Sequence, residues 1–229
     1  MKLLKLKQIG FLLVMLMGMM SCVEESEPSP TIYTYYGFIY NDGGYYYVDI
    51  DTGEKLKVVE FDDSELDLEP YDRVIVSFII EETPEVPILY DHLVELQGFY
   101  DVDFSDIVTL DETSRDTIGD GFITLTDYHI AGDYLNIQVY YDQQDGEHIF
   151  SLCYDETQQE EGEPVILDLR NYYPESADVS AQYYTYKSYN LMDLSSIGEL
   201  NDENKIEFIL RTNKGDSQEQ KIDLVYNPM

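Results

Sequence analysis

Three stretches of this chain bring chemistry-bearing residues together, and each also spells an ordinary turn or strand. Asp51-Thr52-Gly53 is the aspartic-protease tripeptide. That chemistry needs two aspartates sharing one proton, and with one copy in the chain a second subunit would have to supply the other. Set between two alternating apolar runs, with a glycine suited to positive φ, it reads as a hairpin turn. Asp116 to Asp127 comes close to a calcium loop, with Asp116, Asp120, Gly121 and Asp127 at loop positions 1, 5, 6 and 12. Position 3 is Ile118, which cannot ligate, and no helix pattern flanks the segment, so a linker turn is expected. The third stretch is aromatic: the chain has 22 tyrosines and no tryptophan. Tyr33, Tyr35, Tyr45 and Tyr47 are expected to share the face opposite Tyr46 and Val48. Such a face is either cross-strand aromatic pairing, worth roughly 0.2–1 kcal/mol per pair, or a stacking surface for sugars.

Nothing else offers a reaction. His92, His129 and His148 share no metal-ligand spacing, and no nucleophile elbow or phosphate-binding glycine loop occurs. Carboxylates are too abundant to mark an acid/base pair. The expectation is no catalytic residue, no metal and no cofactor: not an enzyme.

Strands must position whatever site exists. After Cys22 the apolar residues alternate and turn residues interrupt them every eight to twelve positions or so, the all-β pattern. Predicted strands run over Ile32–Tyr40, Tyr45–Ile50, Lys55–Phe61, Arg73–Ile80 and Ile88–Gln97, with turns at Asn41-Asp42-Gly43-Gly44 and Asp51–Glu54. Five short strands suit a small Greek-key barrel. The aspartate-rich Asp101–Gly121 reads as a boundary. Beyond it Tyr134–Tyr141, His148–Tyr154, Val165–Arg170, Gln182–Leu191, Lys205–Thr212 and Lys221–Tyr226 each carry one apolar face, which suggests two sheets packed as a sandwich.

The amino terminus gives an address. Lys2, Lys5 and Lys7 precede an apolar run, Ile9–Met20, shorter than the roughly 20 residues a spanning helix needs. A positive start and short apolar core are the marks of a secretory signal. It ends Met19-Met20-Ser21-Cys22, which resembles the lipobox of bacterial lipoproteins, so lipidation of Cys22 is expected. Acyl chains contribute about 0.8 kcal/mol per buried CH₂, enough together to hold a domain on a bilayer. Val23-Glu24-Glu25-Ser26-Glu27 resembles the surface-export signal of Bacteroidota lipoproteins and equally suits a solvated tether. The expected location is the cell envelope, anchored in the outer membrane and facing either the periplasm or the surface.

Charge excludes one class of partner. The chain carries −34, and removing residues 1–21 takes away three lysines and no acid, leaving −37. Such a chain repels phosphate backbones, so nucleic acid is not an expected partner. With Cys22 acylated, Cys153 lacks a partner; its apolar setting, Ile149–Tyr154, predicts a buried small hydrophobe and no disulfide.

Laid out this way, the chain resembles the NigD-like family of Bacteroidota lipoproteins. The carrying features are the lipobox, the tyrosine-rich hairpin from Tyr36-Gly37-Phe38 to Tyr47-Val48-Asp49, and Tyr71-Asp72-Arg73-Val74-Ile75-Val76-Ser77-Phe78, with Tyr71 where glycine is usual. Further on come Gly132-Asp133-Tyr134-Leu135-Asn136-Ile137, His148, Leu167-Asp168-Leu169-Arg170-Asn171 and the closing Lys221–Tyr226. Arg170-Asn171-Tyr172 lacks the histidine of the family's Arg-His-Asn position. The resemblance implies an N-terminal OB-type barrel and a C-terminal β-sandwich, and no established activity. The expected organisation is a signal peptide over 1–21, an acidic tether over 22–31, a barrel over 32–112 and a sandwich over 113–229. The expected role is a non-catalytic accessory protein binding a protein or glycan at the envelope. The alternatives are a bacteriocin-immunity protein, from the family's gene-cluster association, and a carbohydrate-binding module on the tyrosine face.

Overall fold

Gly43 and Gly44 sit at φ 62° and 86°, the two positive values that a tight hairpin turn of right-handed twist demands. They join strand β1 (Tyr33–Asp42) to β2 (Tyr45–Ile50), with Ile39 opposite Val48 and Gly37 opposite Ile50. Gly53, at φ 91°, closes the Asp51–Glu54 turn into β3 (Lys55–Val58). β4 (Asp72–Glu82) pairs with β1, and β5 (His92–Asp101) pairs antiparallel with β4 and parallel with β3. The order β1-β2-β3-β5-β4 closes on itself as a barrel of OB type. Ile39, Val48, Leu56, Val74, Val76, Phe78 and Val94 fill it. The fifth strand starts at His92 rather than the expected Ile88, because Pro84 and Pro87 keep the preceding segment in a loop.

The computed structural model describes residues 29–59, 71–143, 148–173, 181–215 and 218–228. The signal sequence, Cys22 and the acidic stretch Asp62–Glu69 lie outside them. From Ile32 onward the chain clusters as one unit, with the barrel followed directly by two packed sheets. Within the expected Asp101–Gly121 boundary, β6 (Asp103–Asp106) and β7 (Val108–Thr109) already pair as sandwich strands, and Glu112–Thr117 forms a short helix capped by Asp111. The changeover from barrel to sandwich therefore comes between Asp101 and Asp103, ahead of the expected 112/113 division. Polarity hid these strands: β6 is exposed throughout and borrows its order from parallel pairing with the segment Lys187 to Asn190.

The remaining strands are β8 (Thr124–Ala131), β9 (Tyr134–Gln143), β10 (Ile149–Tyr154), β11 (Val165–Tyr172), β12 (Ala181–Asn190), β13 (Ile206–Gly215) and β14 (Gln218–Tyr226). They form a five-stranded sheet ordered β14-β13-β11-β10-β7 and a four-stranded sheet ordered β6-β12-β9-β8. Leu135, Ile137 and Val139 of one sheet meet Leu152, Leu167, Leu169, Phe208 and Leu210 of the other, the inward alternation that the sequence spells. Cys153 is free, as expected, and 1% exposed, and burial pushes its thiol up to about 12. At that value it is a packing residue, with no thiolate near neutrality.

One charged residue breaks the alternation. Lys187 lies on the β12 face that pairs with core residue Ile137; it is buried, bonded to the exposed Asp103, with its ammonium 5.1 Å from the Phe150 ring centre. Burial pulls its pKa down to about 8. The unfolded chain therefore binds more protons at this group between about pH 8 and its ordinary value near 10.4, and stability rises with pH across that window. Urea unfolding at pH 7.5 and 9.5 should show a gain on the order of 1–2 kcal/mol, absent in Lys187→Met. Above about pH 10 the half-buried Tyr36 and the buried Tyr189 and Tyr226, whose pKa values are raised, oppose the trend.

Candidate functional site

The four predicted tyrosines divide between two faces. Tyr33 and Tyr35 share the parity of Gly37 and Ile39: Tyr35 packs on the barrel core, Tyr33 stays exposed beyond it, and their ring centres lie 6.1 and 5.8 Å from that of Phe78. Tyr45 and Tyr47 lie on the outside, since Tyr46 and Val48 of the same strand turn inward. The expected shared face is therefore corrected. A strand rich in tyrosine on both sides hides its own register, because alternation then carries no contrast.

A different set gathers on the outer face. Tyr47 stacks on Tyr40, its cross-strand partner, at 5.7 Å and 21°, and Tyr40 stacks on Tyr71 at 5.0 Å and 21°. Lys55 on β3 donates to the Tyr40 hydroxyl at 2.5 Å and pairs with Asp49 at 3.0 Å. Beside this stack the Lys57 ammonium lies 3.9 Å from the centre of the Tyr45 ring and 5.5 Å from that of Tyr90. Cation–π attraction holds it there. Tyr90 ends the loop between β4 and β5, which is tied to β3 by Asp91: its N–H donates to the Lys55 carbonyl at 2.7 Å, and its carboxylate accepts from the Lys55 N–H at 2.8 Å. The same loop presents Val86, Ile88 and Leu89, all strongly exposed. In OB barrels the strand 2–3 face and the flanking 1–2 and 4–5 loops are where ligands bind.

Tyr71 is the unusual member. It has φ 69°, a left-handed conformation that costs an L-residue about 1–2 kcal/mol. It is also 63% exposed, so burial does not offset that cost. The structure keeps a large ring on a strained backbone at the position where glycine would serve the turn better. The sequence carried a signal for it, the tyrosine standing in the glycine position, but not the three-ring stack it completes.

A second cluster is structural. Arg73, on the face of β4 opposite the barrel-filling Val74, Val76 and Phe78, makes two 2.5 Å bonds to the carboxylate of Asp51. It also donates to Asn136 at 2.8 Å and to Ser188 at 3.0 Å, both on the four-stranded sheet. Asn136 donates on to Asp51 at 3.0 Å, and Ser188 donates to Asn136 at 2.8 Å. The guanidinium lies within 4.5–4.7 Å of the Tyr134 and Phe38 ring centres. Neither side chain of the Arg73–Asp51 pair is more than 4% exposed. The tripeptide Asp51-Thr52-Gly53 is thus a turn whose aspartate closes the joint between barrel and sandwich. Asn136, polar and outward on its own sheet, is buried because the barrel sits over it. Spacing in the sequence holds no trace of a network whose members come from such distant strands.

The other expected groups scatter. Asp116 lies on the short helix and Asp127 on β8, and Asp120 follows Gly119 in the connecting loop. Among the described residues no group of three or more His, Cys, Asp or Glu side chains is placed to hold a metal ion. His148 faces Asn171 at 3.1 Å and packs among Tyr141, Phe150 and Tyr173.

This barrel joined to a nine-stranded sandwich places the molecule among two-part β proteins. The model of the NigD-like C-terminal β-sandwich domain matches residues 106–224. The chain belongs to the NigD-like family. No curated protein matches it in sequence. Similar solved structures cover both parts. A Bacteroides vulgatus protein of unknown function superposes with TM-score 0.69 at 20% identity, over 87% of this chain and 92% of the other. A candidate lipoprotein of Bacteroides fragilis gives 0.61 at 12% identity, over 87% and 99%. A protein described as a NigD-like immunity protein of Bacteroides caccae gives 0.59 at 17% identity, over 88% and 99%. Among the described residues no helix is long and apolar enough to cross a membrane.

Proposed function

We propose that this chain is a non-catalytic binding protein of the cell envelope, anchored through lipid on Cys22, and that it holds a protein partner on the outer tyrosine face of its barrel. The anchor rests on the charged start, short apolar run and Ser21-Cys22 ending, and the B. fragilis neighbour described as a candidate lipoprotein agrees with it. Outer-membrane residence rests on the same signal and the acidic residues that follow it.

The observation that carries the binding face is Tyr71, held exposed and left-handed against Tyr40. Strain of this kind persists where function requires it. Tyrosine is among the residues that dominate protein contact surfaces, and the exposed Val86, Ile88 and Leu89 of the loop that ends at Tyr90 add apolar surface of the kind that marks an interaction site. A face for sugar alone would not need the aliphatic loop.

In Tyr71→Gly, relief of the left-handed backbone, about 1–2 kcal/mol, offsets loss of a ring stack worth about 0.5–1.5 kcal/mol. The melting temperature should hold or rise slightly. Immobilised Tyr71→Gly should retain at least tenfold less of the partner that the unaltered chain takes from outer-membrane extract. Equal retention would remove the face from consideration. The carbohydrate-module reading is tested on a glycan array, where saturable binding lost in Tyr47→Ala would replace the protein partner with a glycan. The B. caccae neighbour described as an immunity protein favours a second reading, in which the partner is a toxin. Expression would then protect a sensitive strain, and Tyr71→Gly would not.

A further inference from the structure

A cleft of about 530 Å³ opens on the outer face of the five-stranded sheet, a size within the range of small-molecule sites. Asp120, Gln158, Asp168, Arg170, Arg211 and Asn213 line it, drawn from the post-helix loop, the turn after β10, β11 and β13. Arg211 is committed: it grips the Asp168 carboxylate at 2.5 and 2.8 Å and also donates to Gln158. Arg170 is not. Its side chain is 14% exposed, yet among the described residues it makes only a 3.3 Å bond to the Arg115 carbonyl and a 3.5 Å contact with Asp168. A guanidinium has five N–H donors, and one withdrawn from water normally spends most of them. Asp120 stands near it; burial raises its pKa while the Arg170 charge draws it back down. Its backbone is fixed: the Gly121 N–H donates to the Asn171 carbonyl at 2.8 Å, and Asn213 donates to the Asp120 carbonyl at 2.9 Å.

We infer that this cleft is a binding site for a neutral saccharide, with Arg170 donating to sugar oxygens and Asp120 accepting from sugar hydroxyls. The charges select the class. Asp120, Asp168 and Glu219 outnumber the two arginines in the lining, so an anion would meet net negative charge, while the Arg170 guanidinium repels a metal cation. A hydroxyl both donates and accepts, and a vicinal pair of them can bridge a guanidinium and a carboxylate on one wall. The site is separate from the barrel face and does not depend on it.

The test is saturation-transfer NMR on the full chain in detergent, with glucose, mannose, galactose, N-acetylglucosamine and cellobiose as probes and inorganic phosphate as the anionic arm. Transfer to at least one neutral sugar is expected. Affinity should fall at least tenfold in Arg170→Gln and in the isosteric Asp120→Asn, and stay unchanged in Tyr71→Gly. Should Arg170→Gln misfold, Asp120→Asn decides alone. Transfer to none of the sugars, displacement of the sugar by millimolar phosphate, or binding that survives Asp120→Asn would each overturn the assignment.

Discussion

Replacing Arg73 with methionine should cost about 3–5 kcal/mol of stability, because it strands a buried carboxylate. The side chain of Asp51 has almost no contact with solvent, and two of its bonds come from Arg73. With the guanidinium gone, Asn136 Nδ2 is its one remaining side-chain donor among the described residues, at 3.0 Å. Ser188 and Asn136 lose a donor at the same moment. The ring faces of Phe38 and Tyr134 keep their contacts with each other at 5.2 Å, so the joint should loosen rather than dissolve. Urea denaturation should show a lower midpoint and a broadened or split transition, as the barrel and the sandwich cease to unfold together. The double variant Arg73→Met, Asp51→Leu should recover most of the loss, since removing both charges also removes the desolvation cost. A single variant as stable as the parent would mean that the network does not join the two parts.

Gly119→Ala is the second large effect. Gly119 has φ 82°, and a Cβ there would lie 2.6 Å from Tyr172 Cα and 2.8 Å from the Asn171 carbonyl oxygen. Both obstacles are backbone, so no rotamer change relieves them. Left-handed strain and the forced shift together should cost about 3 kcal/mol or more. Gly162 supplies the control. Its φ is 81°, but no atom lies within 4 Å of the added Cβ, so Gly162→Ala should show the strain alone, about 1–2 kcal/mol. The difference between the two, read from thermal unfolding, measures how tightly the loop before Asp120 is wedged on β11. Equal losses would show that the wedge yields, and Asp120 would then not be held in place.

Alternation showed most of the strands because each turns one apolar face to a core. Leu135, Ile137 and Val139 contrast sharply with Asn136 and Gln138 between them, and Val74, Val76 and Phe78 repeat the same period; all six are buried. Gly43-Gly44 and Gly53 announced their turns through backbone requirements that few other residues meet. Legibility failed where that contrast vanished. In β1 tyrosine occupies both faces, so the sequence could not tell Tyr35, packed on the core, from Tyr40, which anchors the outer stack. β6 and β7 are short and polar and owe their existence to partners distant in the sequence. Arg73 and Asp51 looked like a strand residue and a turn residue, and only the pairing of β1 with both β2 and β4 brings them together. Of the outer site, Tyr45 and Tyr47 were foreseen by type and spacing; Tyr40, Tyr71, Tyr90 and the two lysines join them through the barrel's curvature.

The strain at Tyr71 and the stack it completes give the most direct test of the account. The cross-linking amino acid p-benzoylphenylalanine would be placed at position 71 and, as a control on an equally exposed surface, at position 192 in place of Met192. Irradiation of cells carrying the full chain is predicted to give one discrete protein adduct from position 71, none from position 192, and no adduct from position 71 once Tyr47→Ala is added. The same adducts from both positions, or none from position 71, would contradict a binding role for the tyrosine face.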